Sequence, residues 1–304
     1  MNSINQSQHL AFYIDRLRSM RNLSVEEFLD GIVSSRQFRR YIGGDSQMSY
    51  VILDKLSRRL GFNAENVIME LESHKIKQSQ TILSFYTYVL QKNKKDADEI
   101  KKNINQDELI LETDLLLYQH GEILYRHHFN GTREEELINE TKQLLDYNAL
   151  LKKHALSQSE LHILLTLMSF ESFSEPEVIA KKLAQYLDNN LTVVTGHNIK
   201  IVTLVLEELS RYYSIVEDYE KMLYYADEAV KYCLKIKSYY LLDTIYYFKA
   251  AAHHELKQFE ERDQALKRLY GLLISELNEA KLTRFKALFI KRFSREVSFL
   301  FKDI

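Results

Sequence analysis

The scarcity of proline and glycine is the feature of this sequence that most limits its fold. The 304 residues include one proline and eight glycines, where average usage of about 5% and 7% would give roughly 15 and 21. A β-sandwich, a collagen-like chain or a disordered tail needs these residues at its turns or along its length. The composition therefore predicts an all-α protein, and the length gives an expectation of about two domains.

Charge and cysteine content limit the binding partners and the cellular location that we expect. The 41 Lys and Arg against 43 Asp and Glu give a formal net charge of −2, so any surface that attracts nucleic acid has to be local. A single cysteine, Cys233, cannot form an internal disulfide. The sequence has no signal-like leader and no run of about 18 apolar residues. We expect a soluble, cytoplasmic protein that does not associate with membranes.

The spacing of glycines and apolar residues divides the chain into short and long helices. Apolar positions at helical spacing predict a compact bundle of about five helices over residues 1–72. The charged stretch 73–107 is either a linker or hinge helix region or the solvated face of an ordinary helix. Longer helices with short polar breaks then predict an α-solenoid of stacked hairpins over 108–304. The only proline, Pro176, is expected to open one of these helices.

Two helix starts inside the first 72 residues carry capping signatures. Ser24 is followed three residues later by Glu27, and Ser34 by Gln37, so each pair can form a reciprocal capping box. The two starts are ten residues apart. A short helix, a tight connection and a second helix of this length are the pattern of a helix-turn-helix. Gly61 is expected to end a later helix of the same bundle.

An internal repeat is visible in the second half of the chain. Tyr219 and Phe259 lie 40 residues apart in similar polar segments. Ala226 and Ala229 follow the first aromatic residue, and Ala265 follows the second. A tetratricopeptide repeat has an aromatic residue at this corner, small residues on its second helix and a period of about 34. The pattern predicts degenerate repeats of this kind.

At this point the residues support a family resemblance. The segments IVSSRQFRRYIGG at 32–44 and LDKLSRRLG at 53–61 resemble the phage-repressor-like helix-turn-helix of the RRNPP family, the peptide-pheromone receptors that include PlcR, PrgX and Rgg. Length, domain order and repeats are similar over the whole chain. The resemblance implies a homodimeric transcription regulator of quorum sensing, whose helical-repeat domain binds a short secreted peptide that has re-entered the cell.

The second helix of a helix-turn-helix enters the major groove, where arginine can chelate guanine and glutamine can chelate adenine. Residues 1–72 hold nine basic and nine acidic residues, but the segment from Gly31 to Gly44 contains no acid. Phe38, with Tyr41 or Ile42, is expected to face the bundle. The predicted contacts to a double-stranded DNA operator are Ser35, Arg36, Gln37, Arg39 and Arg40 at the bases, with Arg16, Arg18, Arg21, Arg58 and Arg59 available for phosphates. The alternative is a bundle whose arginines are only solvated.

The first helix of each hairpin in a helical-repeat solenoid lines its concave surface. An extended peptide bound there needs partners for its backbone amides and its terminal charges. Alignment of the two repeats on Tyr219 and Phe259 places several polar residues on that surface, and the preceding segment supplies further partners. The predicted peptide-binding residues are Asn198, Lys200, Glu207, Arg211, Thr244, Tyr247 and His254. The alternative is that these side chains are only solvated.

The sequence contains few residue patterns that would indicate catalysis. The pairs His127-His128 and His253-His254 point about 100° apart around a helix, so neither pair forms a two-ligand face, and no H-E-x-x-H pattern accompanies them. Cys233 lies among apolar residues and is expected to be a packed thiol. The 20 tyrosines and 15 phenylalanines are expected mainly in the packing between repeats. We predict a protein that is not an enzyme and that uses no metal or cofactor.

Two other functions remain open from the sequence. One is a helical-repeat scaffold that binds a partner protein and has no sequence-specific DNA binding. The other is a regulator that no longer responds to any peptide. Salt-dependent, sequence-selective DNA binding separates the scaffold from a regulator.

Overall fold

The computed structural model describes residues 6–106, 109–190 and 199–293. These residues form sixteen α-helices and no strand, which confirms the all-α class. The chain divides into two compact units, residues 1–131 and 132–304. The helices of the first unit are α1 (Gln6–Met20), α2 (Val25–Leu29), α3 (Ser35–Gly43), α4 (Tyr50–Arg59), α5 (Ala64–Leu90), α6 (Lys94–Lys101) and α7 (Glu112–Asn130). Those of the second are α8 (Glu134–Leu145), α9 (Tyr147–Leu150), α10 (Gln158–Met168), α11 (Pro176–Asn190), α12 (Ile199–Ile215), α13 (Tyr219–Lys235), α14 (Leu242–Glu255), α15 (Phe259–Ser275) and α16 (Glu279–Phe293).

The first five helices pack around one apolar core, with α2 and α3 as the helix-turn-helix. Phe28 of α2 and Phe38 of α3 are buried in this core, and their rings meet edge to face with centroids 5.9 Å apart. Tyr41 is also buried, while Ile42 is half-buried at the edge of the core. The predicted five-helix bundle and its inward-facing residues are therefore confirmed.

The helix starts agree with their capping signatures except at one side chain. Ser24 and Glu27 form the complete capping box. The Ser34 hydroxyl accepts a hydrogen bond from the backbone N–H of Gln37, as predicted. The reciprocal bond from Gln37 was wrongly predicted, because its side chain donates instead to Ser46 Oγ at 2.9 Å. The Gln37 side chain is thus hydrogen-bonded to the turn after α3 and not to the backbone of Ser34 at the start of its own helix.

The stretch 73–107 is built as a helical hairpin. Helix α5 runs through residue 72 without a break for 27 residues, and a short turn leads to α6. The same turn joins α12 to α13 and α14 to α15, with a left-handed residue followed by one whose φ lies between −89° and −94°. The residue pairs of the three turns are Lys92-Asn93, Glu217-Asp218 and Lys257-Gln258. The division between the two compact units, after residue 131, therefore lies later in the chain than the predicted functional boundaries at 72 and 107.

The second unit contains the predicted repeats. Tyr219 and Phe259 each begin the second helix of a hairpin, and Ala226, Ala229 and Ala265 are buried behind them. Each of the helices α10, α12, α14 and α16 contacts the next of these four, so the first helices of successive hairpins form a row, called here the inner row. Pro176 is the first residue of α11, as expected from its fixed φ.

The tyrosines do not all take part in repeat packing. Tyr246 is buried, but Tyr224 is 55% exposed and Tyr239 is 78% exposed. Tyr224 is adjacent to the half-buried Tyr225 on α13, and neighbouring residues on a helix point about 100° apart. Tyr239 lies in the connection between α13 and α14. The expectation of a buried aromatic core is therefore wrong for these two residues.

Candidate functional site

The end of α3 is fixed to α1 and to the turn that follows. Gln8 Nε2 donates to the carbonyl of Ile42 at 2.9 Å, and the N–H of Met48 donates to Ser7 Oγ at 2.7 Å. Gly44 ends the helix with φ +79°, and a Cβ there would lie 3.0 Å from the Gln8 amide oxygen. Glycine is needed because both the left-handed backbone and the close side chain disfavour any other residue.

The exposed side of α3 carries three arginines. Phe38 and Tyr41 point into the bundle. At 100° per residue Arg36 lies nearly opposite them, with Arg39 and Arg40 about 50° to either side of the opposite point. All three are exposed, whereas Ser35 and Gln37 are half-buried. In the described residues no carboxylate forms an ion pair with any of the three. Their guanidinium groups are therefore available for a ligand from outside the bundle.

Gln37 is held in place by its neighbours. Its Nε2 donates to Ser46 Oγ at 2.9 Å, and its Oε1 accepts from Arg40 Nη1 at 3.4 Å. The amide is therefore oriented before any ligand binds, with its oxygen toward the arginine face. This orientation lowers the entropy lost when a base edge is bound.

Two of the predicted phosphate ligands instead hold the bundle together. Arg18 Nε pairs with Asp15 at 2.7 Å, and its Nη1 donates to the carbonyl of Leu23. Arg59 Nη1 donates to three backbone carbonyls at the end of α2. These carbonyls belong to Glu27, Phe28 and Asp30. Sequence spacing gave no signal for the bonds to backbone carbonyls, since a backbone acceptor carries no residue identity.

Three basic residues on the same bundle stay accessible. Arg16 and Arg21 are exposed, and the Arg21 guanidinium lies 4.4 Å from the centre of the Phe62 ring. Arg58 pairs with Asp54 at 2.7 Å, but its side chain is 71% exposed. A surface pair of this kind is easily exchanged for a phosphate contact because it contributes little.

Substitutions of the neighbouring Arg59 and Arg58 distinguish an arginine that stabilises the bundle from one that is accessible to a phosphate. We expect Arg59→Ala to lower the free energy of unfolding of the bundle by about 1 kcal/mol, because the carbonyls at the end of α2 lose a charged donor. The adjacent Arg58→Ala is expected to leave stability unchanged. Urea unfolding followed by circular dichroism measures both. Equal stability of the two variants would contradict the structural role of Arg59.

Two of the predicted peptide residues on α12 are engaged with other side chains of the second unit. Asn198 lies outside the described residues. Lys200 is exposed, with its Nζ 5.5 Å from the centre of the Tyr240 ring. Arg211 forms a two-point ion pair with the buried Glu208, including Nε to Oε2 at 2.9 Å. The charge of Arg211 is therefore paired within its own helix. The alignment of the two internal repeats did not indicate this pairing.

Glu207 has an unusual electrostatic environment. Burial, with smaller contributions from the nearby Glu208 and Asp243, raises the pKa of its carboxyl to about 7 against the opposing effect of Arg211. Asp243 of α14 is itself paired with Lys281 of α16 at 2.8 Å. Glu207 is half-buried and close to half-protonated at neutral pH, so it can donate or accept a hydrogen bond.

Two of the three predicted residues on α14, Tyr247 and His254, lie against α16. The Tyr247 ring is surrounded by phenylalanines at centroid distances of 6.0 to 6.3 Å. His254 packs against Phe293 at 5.3 Å, and Thr244 is half-buried. The rings around Tyr247 are Phe248, Phe285, Phe289 and Phe293. Phe285, Phe289 and Phe293 occupy every fourth residue on α16. This spacing predicts an apolar helix face, and it is the sequence signal that could have shown what Tyr247 packs against.

A cavity of 410 Å³ lies on α8 and contains none of the predicted residues. Acidic and amide side chains line it together with Arg133. Across 6–106, 109–190 and 199–293, no three His, Cys, Asp or Glu residues are grouped so that they could hold a metal ion. Within the same ranges, every helix is too short or too polar to cross a membrane.

The fold defined here, a helix-turn-helix bundle followed by stacked helical hairpins, occurs in solved regulators. ComR from S. thermophilus, in complex with DNA and its signalling peptide ComS, is 16% identical and has a TM-score of 0.55, covering 93% of this chain and 99% of ComR. Bacillus thuringiensis PlcR, in complex with the peptide PapR7 and DNA, is 16% identical with a TM-score of 0.52, covering 90% of this chain and 99% of PlcR. No protein-family model and no curated protein matches the sequence. The chain thus has the fold that its resemblance to the RRNPP family implies.

Proposed function

We propose that this protein is a cytoplasmic, homodimeric transcription regulator that binds double-stranded DNA and senses a short signalling peptide. The observation that carries the proposal is the exposed arginine face of α3, which forms no ion pair among the described residues. It lies on a fold shared over nearly the whole chain with ComR and PlcR. Both of those proteins were solved with DNA and a peptide. The chemistry is binding rather than catalysis, and no cofactor is involved.

The DNA contact uses α3 in the major groove. Arg36, Arg39 and Arg40 read base edges, with guanine O6 and N7 as the best acceptors. Gln37 is oriented to read a neighbouring base, and Ser35 lies at the start of the helix. The phosphate contacts fall to Arg16, Arg21 and Arg58, because Arg18 and Arg59 have internal partners.

The peptide contact uses the inner row of the second unit. Lys200, Glu207 and Thr244 present polar groups that are not held by an ion pair among the described residues, and Asn198 is proposed to join them. Arg211, Tyr247 and His254 also contact the peptide, after peptide binding has rearranged their present contacts. In functional terms we keep the division into a DNA-binding domain at 1–72, a linker helix region at 73–107 and a peptide-binding and dimerisation domain at 108–304.

The peptide acts by changing how two DNA-binding domains are arranged. A dimer reads two half-sites whose separation is set by its geometry. An effector shifts an equilibrium between two arrangements only by its difference in affinity for them. Peptide and DNA are therefore expected to alter each other's affinity by the same factor.

Genomic footprinting with and without conditioned medium tests the proposal. We expect a small set of protected promoter sites whose occupancy changes with the medium. Sequence-independent or absent protection would favour a protein-interaction scaffold. Protection that never responds to medium or to added peptides would indicate a regulator without a peptide effector.

Calorimetry with the peptide identified in this way tests the location of its site. We expect the combined variant Arg211→Ala, Tyr247→Ala to bind the peptide at least about tenfold more weakly, since a charged hydrogen-bond donor and an aromatic wall are both lost. Lys231→Ala on α13, outside the inner row, is the control. Unchanged affinity in the double variant would exclude this part of the inner row as the site.

A further inference from the structure

The turn after α3 is fixed to the end of that helix. The N–H groups of Asp45 and Ser46 both donate to the carbonyl of Arg40, at 2.9 and 3.3 Å. Two residues later, the N–H of Met48 donates to Ser7 Oγ of α1 at 2.7 Å. The half-buried Ser46 side chain is therefore held at a defined place beside α3 by bonds on both sides of it.

The Ser46 hydroxyl is the first member of a chain of three side chains. Gln37 Nε2 donates to Ser46 Oγ at 2.9 Å, and Gln37 Oε1 accepts from Arg40 Nη1 at 3.4 Å. Ser46, Gln37 and Arg40 are called here the α3 relay. Ser46 and Gln37 are half-buried and Arg40 is exposed, so the relay runs from the turn to the arginine face of α3.

The relay fixes which way round the Gln37 amide lies. A guanidinium can only donate hydrogen bonds, whereas a hydroxyl can donate or accept. The amide oxygen therefore has to face Arg40, and the amide nitrogen faces Ser46. Without the Ser46 hydroxyl, the amide would keep only the long bond of 3.4 Å to an exposed side chain. A bond of that length is too weak to hold the amide in one orientation.

The hydrogen-bonding capacity that remains on Gln37 matches one base. A primary amide can donate two hydrogen bonds and accept two, and the relay uses one of each. One donor and one acceptor are left. In the major groove adenine offers the N7 acceptor beside the N6 donor, whereas guanine offers two acceptors, N7 and O6. An amide held in this orientation can pair with both groups of adenine, and against guanine its oxygen would face O6.

We propose that Ser46 is a positioning residue for base recognition, whose hydroxyl holds the Gln37 amide so that Gln37 selects adenine over guanine at one position of each half-site. Ser46 itself contacts no base. The proposal rests on the proposed DNA-binding function, and it adds a residue outside α3 to those that set sequence preference. In a variant without this hydroxyl the amide turns freely, and its nitrogen can donate to both acceptors of guanine, so the preference weakens.

Selection from a library of random DNA duplexes tests the proposal with the full-length protein. Sequencing of the bound duplexes gives the base preference at each position, and Gln37→Ala identifies the position that Gln37 reads as the one where the preference is lost. At that position we expect about tenfold preference for adenine over guanine in the wild type, and about twofold or less in Ser46→Ala. Ser46→Thr retains a hydroxyl and is expected to retain the preference.

Ser24→Ala separates the positioning role from damage to the fold. Ser24 caps α2 through Glu27, so its loss destabilises the same bundle by a route that does not involve Gln37. We expect every base preference to be unchanged in Ser24→Ala. An adenine preference that survives in Ser46→Ala, or that is lost equally in Ser24→Ala, overturns the proposal. A wild type that selects no sequence at all would refute the proposed regulator together with the role of Ser46.

Nuclear magnetic resonance relaxation measures the effect of Ser46 on Gln37 without DNA. In the full-length protein carrying isotope-labelled glutamine, the side-chain signal of Gln37 is the one absent from Gln37→Ala. We expect the heteronuclear NOE of this signal to be high in the wild type and in Ser46→Thr, and to fall in Ser46→Ala to the value of the exposed Gln47. If the Gln37 amide of the wild type is as mobile as that of Gln47, the positioning role is overturned even where sequence-selective DNA binding is found.

Discussion

Alanine at both Arg36 and Arg39 is expected to reduce affinity for the operator by about 100-fold while the bundle stays folded. Each good bidentate contact to a base is worth about 1 to 3 kcal/mol, and 1.4 kcal/mol is tenfold in affinity. Each single substitution is therefore expected to cost about tenfold or more. Both side chains are exposed and neither contributes to the apolar core, so thermal unfolding is expected to be unchanged. Fluorescence anisotropy with the footprinted promoter fragment measures the affinity.

The salt dependence of these variants distinguishes base contacts from phosphate contacts. Loss of a phosphate contact lowers the slope of log affinity against log salt by about 1, whereas loss of a base contact relaxes sequence preference. Lys55→Ala, an exposed basic residue on α4, is the matched control. If Arg36→Ala and Arg39→Ala both shift the promoter fragment as wild type does, α3 is not the reading helix.

Local signals predicted the helix-turn-helix well because its boundaries are set by neighbours in sequence. Ser24 caps α2 through Glu27, and Gly61 follows α4 with a positive φ. Pro176 begins α11 for the same kind of local reason. The exception is Gln37, whose side chain is captured by Ser46 nine residues away. Such a capture depends on how the following turn packs.

The roles of individual polar residues were harder to predict because they depend on tertiary partners. Arg59 binds carbonyls some thirty residues earlier in the chain, and its neighbour Arg58 does not. In the repeats, Arg211 is neutralised by Glu208, although a sequence shows only an arginine on the expected helix face. Tyr247 is enclosed by α16, a helix that the repeat alignment did not include.

The stretch 73–107 shows why charge is a weak guide to domain boundaries. Its charged residues fit either a linker helix or the solvated face of an ordinary helix. Helix α5 continues into this stretch as far as Leu90 and buries one side with Ile82 and Phe85. The turn at Lys92 has the left-handed conformation of the repeat turns. Residues other than glycine rarely adopt this conformation, and Lys92, Glu217 and Lys257 are not types that signal it. The likeness between this turn and the later repeat turns is therefore visible in backbone angles and not in sequence.

His120 makes the stability of the first unit depend on pH. The residue is fully buried, with Nδ1 2.9 Å from the hydroxyl of Tyr86, and burial lowers the pKa of its imidazole to about 3. In the unfolded chain the pKa returns to about 6.5. Between these values the unfolded chain binds a proton that the folded chain does not, so stability is complete above pH 6.5 and is lost as the pH falls.

Replacing His120 by leucine is expected to remove this part of the pH dependence. Each pH unit within the window is worth about 1.4 kcal/mol, so the wild type should lose about 2 kcal/mol through His120 between pH 7 and pH 5. His120→Leu is less stable at pH 7, since Tyr86 loses this partner, but its stability falls less on acidification. Urea unfolding at the two pH values measures the difference, with the exposed His154 replaced by leucine as the control. If His120→Leu and the wild type lose equal amounts of unfolding free energy between pH 7 and pH 5, His120 is not the cause of the pH dependence. That result would mean that His120 takes up a proton in the folded protein as readily as in the unfolded chain, in spite of its complete burial beside Tyr86.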